Sequence, residues 1–315
     1  MRRPGVVQNL ALPSHGGGAD PRVRPALPSP VAVTGVLGFV GSHLLPRLLE
    51  RGARVIALVR PGRDASRLED RVTEIRRANL DDPGTLAGAF EGAEAVVHLS
   101  GLAQVPGLVA ALEGAGVRRG VFVSSAGVRT RLESRGADAK RAGEEALRRS
   151  SIGYTILRPS MIYGTPADRN LARLLRWLRA CPLVPVPGGG ATLQQPVHVG
   201  DLVAAITSAL GRPETERKEY DVGGPEALTL RDLIHACAAS VGRRAFVLGV
   251  PLGPAHGAAS LLRRLGLRSP VRPEQILRLT ESKAVDISAA RRDLGFEPRS
   301  FADGIRAEAK LLSPR

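Results

Sequence analysis

A doubly wound parallel α/β sheet followed by a smaller C-terminal region is the fold that this 315-residue chain predicts. Three observations predict it. Short apolar runs such as Val31–Thr34 and Ala95–Leu99 alternate with amphipathic stretches as far as Pro159, which is the rhythm of βαβ units. The run in Arg54–Val59 is continuously apolar, as expected when helices cover both faces of a sheet. A glycine-rich turn, Gly35-Val36-Leu37-Gly38-Phe39-Val40-Gly41, joins the first strand to the first helix.

Residues 1–30 are rich in proline and glycine and lack periodicity. They are expected to form a disordered tail, because they cannot bury enough apolar surface to offset their chain entropy. Their early arginines leave a transit peptide as an alternative reading, and whether they belong to the native protein is open. Order begins with the strand Val31–Thr34. Ser42–Arg51 follows as a helix, with Leu44, Leu45, Leu48 and Leu49 on one stripe and Gly52 placed to end it. Strands Arg54–Val59 and Val72–Arg76 come next, then helix Pro83–Phe90, strand Ala95–Leu99, helix Val105–Ala115, strand Gly120–Ser124, helix Ala139–Arg149 and strand Tyr154–Leu157. Residues 31–165 therefore read as a Rossmann-type unit.

Beyond Pro159 the alternation stops. Helices are expected over Leu171–Arg179, Asp201–Leu210 and Thr229–Ser240, a short strand over Tyr220–Val222, a Pro/Gly-rich loop over Pro182–Gly190, and a helical tail after Ser240. Residues 166–315 read as a substrate region closing over the first unit, with 196–224 returning to it.

Composition narrows the function. No apolar run approaches the length of a membrane span. Cys181 and Cys237 stand apart, without partners at ligand spacing. A zinc module and a disulfide scaffold are thereby excluded, and a reducing, cytoplasmic setting is expected. Lysine and arginine total 45 against 30 acids, a net charge of +15, yet only Lys140, Lys218, Lys283 and Lys310 are lysines and aromatic residues make up 3%. A base-stacking surface is not built from so few aromatics. The charge reads instead as attraction for anionic small molecules, nucleotides above all.

The glycines carry the clearest chemistry. Gly35 permits a tight turn, Gly38 lets backbone approach a pyrophosphate, and Gly41 allows close helix–strand packing. The following helix N-terminus offers N–H groups to phosphate. At the end of the second strand, where an acid would bind a ribose 2′-hydroxyl, stands Arg60, and no acid occurs before Asp64. An arginine there pairs with a 2′-phosphate, so NADP(H) is favoured and NAD(H) stays open.

Thr34–Gly41, His98-Leu99-Ser100-Gly101, Phe122-Val123-Ser124-Ser125, Arg158-Pro159 and Gln195-Pro196-Val197-His198-Val199-Gly200-Asp201 follow in order. Together they resemble the extended short-chain dehydrogenase/reductase superfamily, in its NAD(P)-dependent epimerase/dehydratase branch. The segment from Ser160 to Asn170 is similar to atypical members, among them the nucleotide-binding accessory subunit of respiratory complex I. The resemblance implies that Gly35, Gly38, Phe39, Val40 and Gly41 hold the pyrophosphate and that Arg60 lies beside the adenosine ribose. It implies further that Asn79 and Leu80 lie at the adenine and that Leu99, Ser100 and Gly101 form the loop under the cofactor ribose. Ser125 matches the active-site hydroxyl and Lys140 the lysine on the nicotinamide ribose, while Pro159, Met161 and Ile162 match the strand end near the nicotinamide.

One departure bears on activity. Active relatives carry Tyr-x-x-x-Lys on a helix face, where the lysine lowers the phenol pKa. Gly136 stands four residues before Lys140, and no tyrosine in the chain has a lysine four residues after it. Arg169, Asn170 and His198 are candidates for holding an anionic, nucleotide-sugar-like substrate. Two functions stay open. One is an oxidoreductase or epimerase in which Ser125 and Lys140 orient the reacting groups. The other is a non-catalytic NADP(H)-binding structural or redox-sensing protein. A homodimer or a membrane-complex partner is compatible with either, and no metal is expected.

Overall fold

The computed structural model describes residues 26–168, 170–254, 257 and 280–312. Most of the expected N-terminal tail lies outside these. Seven parallel strands form the central sheet, in the order β3-β2-β1-β4-β5-β6-β11. They are β1 (Val31–Thr34), β2 (Val55–Val59), β3 (Glu74–Arg77), β4 (Ala95–His98), β5 (Arg119–Val123), β6 (Gly153–Pro159) and β11 (Lys218–Val222). The chain runs outward from β1 to β3 and then returns to place β4 on the other side of β1. This reversal opens a crevice at the carboxyl ends of β1 and β4, where such sheets bind ligands.

Alternation along the strands explains both faces. Val31 and Val33 point to one side, where Leu44 and Leu48 of α1 (Phe39–Glu50), Leu202 and Ile206 of α6 (Val199–Leu210), and Ala290 and Leu294 of α8 (Ser288–Leu294) pack. Ala32, with Val96 and Phe122, points to the other. There it meets Leu86 of α2 (Pro83–Leu86), Leu108 and Leu112 of α3 (Val105–Gly114), and Leu147 of α4 (Arg135–Arg149). Each fully buried leucine contributes roughly 1.5–3 kcal/mol.

A third cluster belongs to the C-terminal region. Leu171, Leu175 and Leu178 of α5 (Leu171–Ala180) pack with Leu233, Ile234 and Cys237 of α7 (Leu230–Ser240). Phe301 and Ile305 of α9 (Phe301–Leu311) and the ring of Tyr163 complete it. Tyr163 lies on β7 (Ile162–Tyr163), which pairs with β10 (Val197–His198).

The boundaries differ from the sequence expectation for local reasons. The helix expected from Ala139 begins at Arg135, because Ser134 caps it by accepting from Ala137 N at 3.3 Å. The helix expected over Pro83–Phe90 stops at Leu86, ahead of Gly88 at φ +71°. The expected loop Pro182–Gly190 contains strand β8 (Leu183–Pro187), which pairs in parallel with β13 (Phe246–Val250), where only helix was expected. A two-stranded ribbon leaves each strand an open edge, and prolines are tolerated there. The antiparallel pair β9 (Leu193–Gln194) and β12 (Leu228–Thr229) adds a clasp between α7 and the loop after β8.

Candidate functional site: two clefts at the sheet's carboxyl edge

The glycine turn is shaped by contacts as well as by conformation. Gly35 has φ +72°, and a Cβ there would stand 2.9 Å from Ser100 Oγ. A Cβ on Gly41 would fall 2.3 Å from Gly35 O and 2.5 Å from Val36 O, so only glycine lets α1 pack this closely on the turn. Gly38 is the N-cap of α1; no side chain caps that end and no acid stands in its first turn. The N-terminal N–H groups are left for an anion.

A cleft of about 210 Å³ opens beside this turn. Its lining brings Gly35, Gly38, Arg60, Leu80 and Ser100 together, and adds Arg63. Asn79 adjoins Leu80, with its side-chain oxygen accepting from Asp81 N. The carboxylate of Asp64 is engaged by Ser66 N at 2.9 Å, which holds it below the usual range. Phe39, Val40 and Gly41 form the first turn of α1 behind the lining.

The loop at the end of β4 is held by His98, the first residue of the His98–Gly101 motif. His98 is fully buried at the end of β4. Its Nε2 lies 2.7 Å from Gly101 O and its Nδ1 2.9 Å from Thr34 Oγ1. A carbonyl only accepts, so Nε2 carries the proton and Nδ1 accepts from the threonine hydroxyl. Burial lowers the His98 pKa to about 4 and keeps the ring neutral. Thr34 Oγ1 in turn accepts from Leu99 N at 3.3 Å. The Leu99-Ser100-Gly101 loop is thus tied to the end of β1 by one imidazole.

A second cleft, of about 620 Å³, lies beyond the ends of β5 and β6. It collects Ser125, Pro159, Met161 and Asn170, together with the cationic side chains Arg129, Arg131 and Lys283. Ser125 Oγ accepts from Gly127 N at 3.1 Å and so also shapes the turn after β5. Glu281 accepts from Thr130 Oγ1 at 2.5 Å and Arg131 N at 2.9 Å, fastening the cleft's two walls together. Arg129 pairs with the buried Asp221 at 2.6 Å.

Lys140 is half-buried on α4 and does not line either cleft. Gly136, one turn earlier, is exposed, and a Cβ there would meet no atom within 4 Å. Ile162 lies on β7, off both linings. Arg169 falls outside the described residues. His198 caps α6, its Nδ1 accepting from Gly200 N at 3.0 Å, with its ring edge-on to Tyr163 at 5.4 Å between centroids. Burial, and then the nearby Arg299, lower its pKa to about 4. The Tyr163 hydroxyl is packed against Gly304, where a Cβ would clash at 2.1 Å, and burial raises its pKa.

One polar network was not legible in the sequence. Glu144 of α4, buried, accepts from Ser124 Oγ at 2.7 Å and from both Nε and Nη2 of Arg158 on β6. Arg158 also pairs with Glu219 of β11, which Arg148 contacts at 2.7 Å. Helix α4, with Lys140, is thereby bolted to the strand ends that carry Ser125 and Pro159. Among the described residues no group of acids, histidines and cysteines could hold a metal ion, and no helix is long and apolar enough to cross a membrane.

A Rossmann crevice with an uncapped glycine turn is the arrangement that nucleotide-binding folds use, and comparisons with known proteins find likenesses of that class. Residues 35–174 match the model of the NAD(P)H-binding family. The chain is 30% identical over 223 residues to subunit 9 of the NADH dehydrogenase [ubiquinone] 1 alpha subcomplex of Arabidopsis thaliana, a match covering 64% of this chain and 55% of that protein. It is 29% identical over 234 residues to the ceramide reductase of Caulobacter vibrioides, covering 70% and 73%. Among solved structures, the UDP-glucuronic acid 4-epimerase of Bacillus cereus, in complex with UDP-glucuronic acid and NAD, superposes with a TM-score of 0.68 at 20% identity over 90% of this chain and 98% of that one. At that identity the likeness is one of fold, a Rossmann-like α/β architecture shared with that epimerase.

Proposed function

We propose that the protein is an NADP(H)-binding oxidoreductase or epimerase that acts on a small anionic, nucleotide-sugar-like substrate without the usual catalytic tyrosine. The observation that carries the cofactor reading is the pair Arg60 and Arg63 in the cleft beside the glycine turn, where Asp64 is already engaged by Ser66 N. Two guanidinium groups suit a 2′-phosphate, and the absence of a disengaged carboxylate disfavours a bare ribose. Gly35, Gly38 and the first turn of α1 would hold the pyrophosphate, Leu80 the adenine, and Ser100 with its neighbours the ribose.

The cofactor, when bound, gives or takes a hydride. The chain's own residues orient the reactants: Ser125 presents a hydroxyl at the second cleft, and Arg129, Arg131 and Lys283 make it attractive to phosphate or carboxylate. Asn170 lies on the same lining. The bound sugar nucleotide and NAD of the Bacillus cereus relative support this division of labour by fold alone.

A second reading has its own observation. Gly136 leaves an open, exposed position where active relatives carry a tyrosine, and Tyr163 is buried with a raised pKa. A protein that binds NADP(H) as a structural or redox ligand would show this arrangement. The likeness to a complex I subunit makes a place in a larger assembly part of that reading.

Titration of the purified chain with NADPH and NADH, followed by nucleotide fluorescence, tests the cofactor assignment. Saturable binding with NADPH preferred, reversed toward NADH by Arg60→Glu, is expected. Preference for NADH in the unaltered protein would overturn the role of Arg60, and binding of neither would overturn the site.

A further inference from the structure

The ribbon β8/β13 turns apolar side chains outward. Along β8 the outward positions are Leu183 and Pro185, and along β13 they are Phe246 and Leu248, while Val186 is buried beneath. Register sets Leu183 beside Phe246 and Pro185 beside Leu248, so the four side chains form one block. Trp177 of α5 joins it, its indole Nε1 donating to Leu183 O at 3.0 Å. Trp177 is 51% exposed, Leu183 47%, Phe246 64% and Leu248 53%. A solvent-facing ribbon ordinarily carries polar residues at such positions, and a contiguous apolar block marks a surface that meets something else.

Charge says what it meets. Arg173 and Arg176 are exposed on α5, and Arg243 and Arg244 are exposed in the turn ahead of β13. Arg231 lies at the ribbon's far end, bonded to Gly189 O at 3.0 Å. Neither residues 170–190 nor residues 241–254 contain an aspartate or glutamate. A protein partner's interface core shares the aromatic and arginine content. An apolar block of tryptophan, phenylalanine and leucine carried on two acid-free, arginine-bearing segments instead matches the composition of surfaces that sink a few ångströms into an anionic lipid headgroup layer.

We propose that this face docks the protein on anionic membrane surfaces, with Phe246, Leu248 and Trp177 entering the interface and the arginines binding lipid phosphates. The docking does not depend on the nucleotide clefts or on what they bind. Trp177 is the chain's single tryptophan, so its fluorescence reports on this face alone.

The test uses the full chain with vesicles of phosphatidylcholine, with and without phosphatidylglycerol. Flotation should recover the protein with the anionic vesicles at least about tenfold more than with neutral ones, from an electrostatic contribution near 1 kcal/mol per arginine. Trp177 emission should shift to the blue on binding, and high salt should weaken it. Arg243→Glu with Arg244→Glu should reduce recovery about tenfold or more. Phe246→Ser with Leu248→Ser, both exposed and so compatible with folding, should do the same and abolish the blue shift.

Absence of binding to anionic vesicles would overturn the proposal. So would binding that leaves Trp177 emission unchanged and survives the serine variants, since another basic surface would then be responsible. A concentration-dependent blue shift without vesicles, accompanied by a doubled mass in light scattering, would assign the face to a second copy of the chain and overturn it as well.

Discussion

Glu144 and Arg158 face each other through two hydrogen bonds, Nε to Oε1 at 2.9 Å and Nη2 to Oε2 at 2.6 Å, both side chains buried. Such a bidentate pair is directional as well as charged, and it holds α4 at one height on the sheet. The Ser124 hydroxyl fills the remaining acceptor position on Oε1.

Breaking that pair from one side leaves a buried guanidinium with only Glu219 to answer it. Glu144→Ala is therefore expected to cost about 3–5 kcal/mol in chemical denaturation. Replacing both partners with apolar residues of similar volume should cost much less. Equal losses in the single and double variants would show that the pair does not act as a unit.

A side chain on Gly38 would enter the space beside Gly35 O, which an added Cβ would approach to 3.0 Å. Gly38→Val is expected to abolish nucleotide binding while leaving the far-UV circular dichroism unchanged. Normal affinity in that variant would remove the turn from the phosphate site.

The open position at Gly136 invites a gain-of-function experiment. Gly136→Tyr places a phenol one turn before Lys140, and no neighbouring atom obstructs its Cβ. Ultraviolet titration should find the new phenol ionising below the usual 10, because the lysine cation favours phenolate. A phenol titrating at or above 10 would show that the lysine does not face it.

Stability should fall toward both ends of the pH range, for opposite reasons. Burial lowers the His98 pKa from 6.5 to about 4. The unfolded chain therefore binds the extra proton, and stability drops as pH falls from 6.5 toward 4 by up to about 1.4 kcal/mol per pH unit from this group. Glu308 behaves oppositely. Burial, and then the neighbouring Asp168, raise its pKa above 4.5. The folded state holds that proton, so its contribution is complete below 4.5 and is lost as pH rises through the raised value. Glu308→Gln, which keeps a hydrogen-bonding group beside Asp168, should flatten the alkaline side of a Tm-against-pH curve and leave the acid side in place. An unchanged alkaline slope would clear Glu308 of the effect.

The sheet and its glycine turn could be read from the chain because each depends on local order. Val31–Thr34 with Gly35, Gly38 and Gly41 is a contiguous string, and alternation of strand and helix is a property of sequence alone. The position of Arg60, directly after β2, was legible for the same reason, since that strand's length was plain. The ribbon was not. Leu183–Pro187 reads as a loop because of its prolines, and it becomes a strand only because Phe246–Val250, some sixty residues on, supplies the partner.

What sequence by itself determined was a Rossmann-like α/β architecture, the glycine turn that joins its first strand to its first helix, and the glycine four residues before Lys140. Tertiary structure alone decided the rest. Glu144, Arg158 and Glu219 lie on three elements, and nothing in their sequence positions pairs them. Folding brings them within hydrogen-bonding distance where Glu144 and Arg158 are buried and unpaired charge is costly. His98 is likewise one residue in an apolar run until the end of β1 brings Thr34 to its Nδ1 and the chain turns Gly101 O toward its Nε2. Periodicity records which way a side chain points; it does not record what will be waiting there.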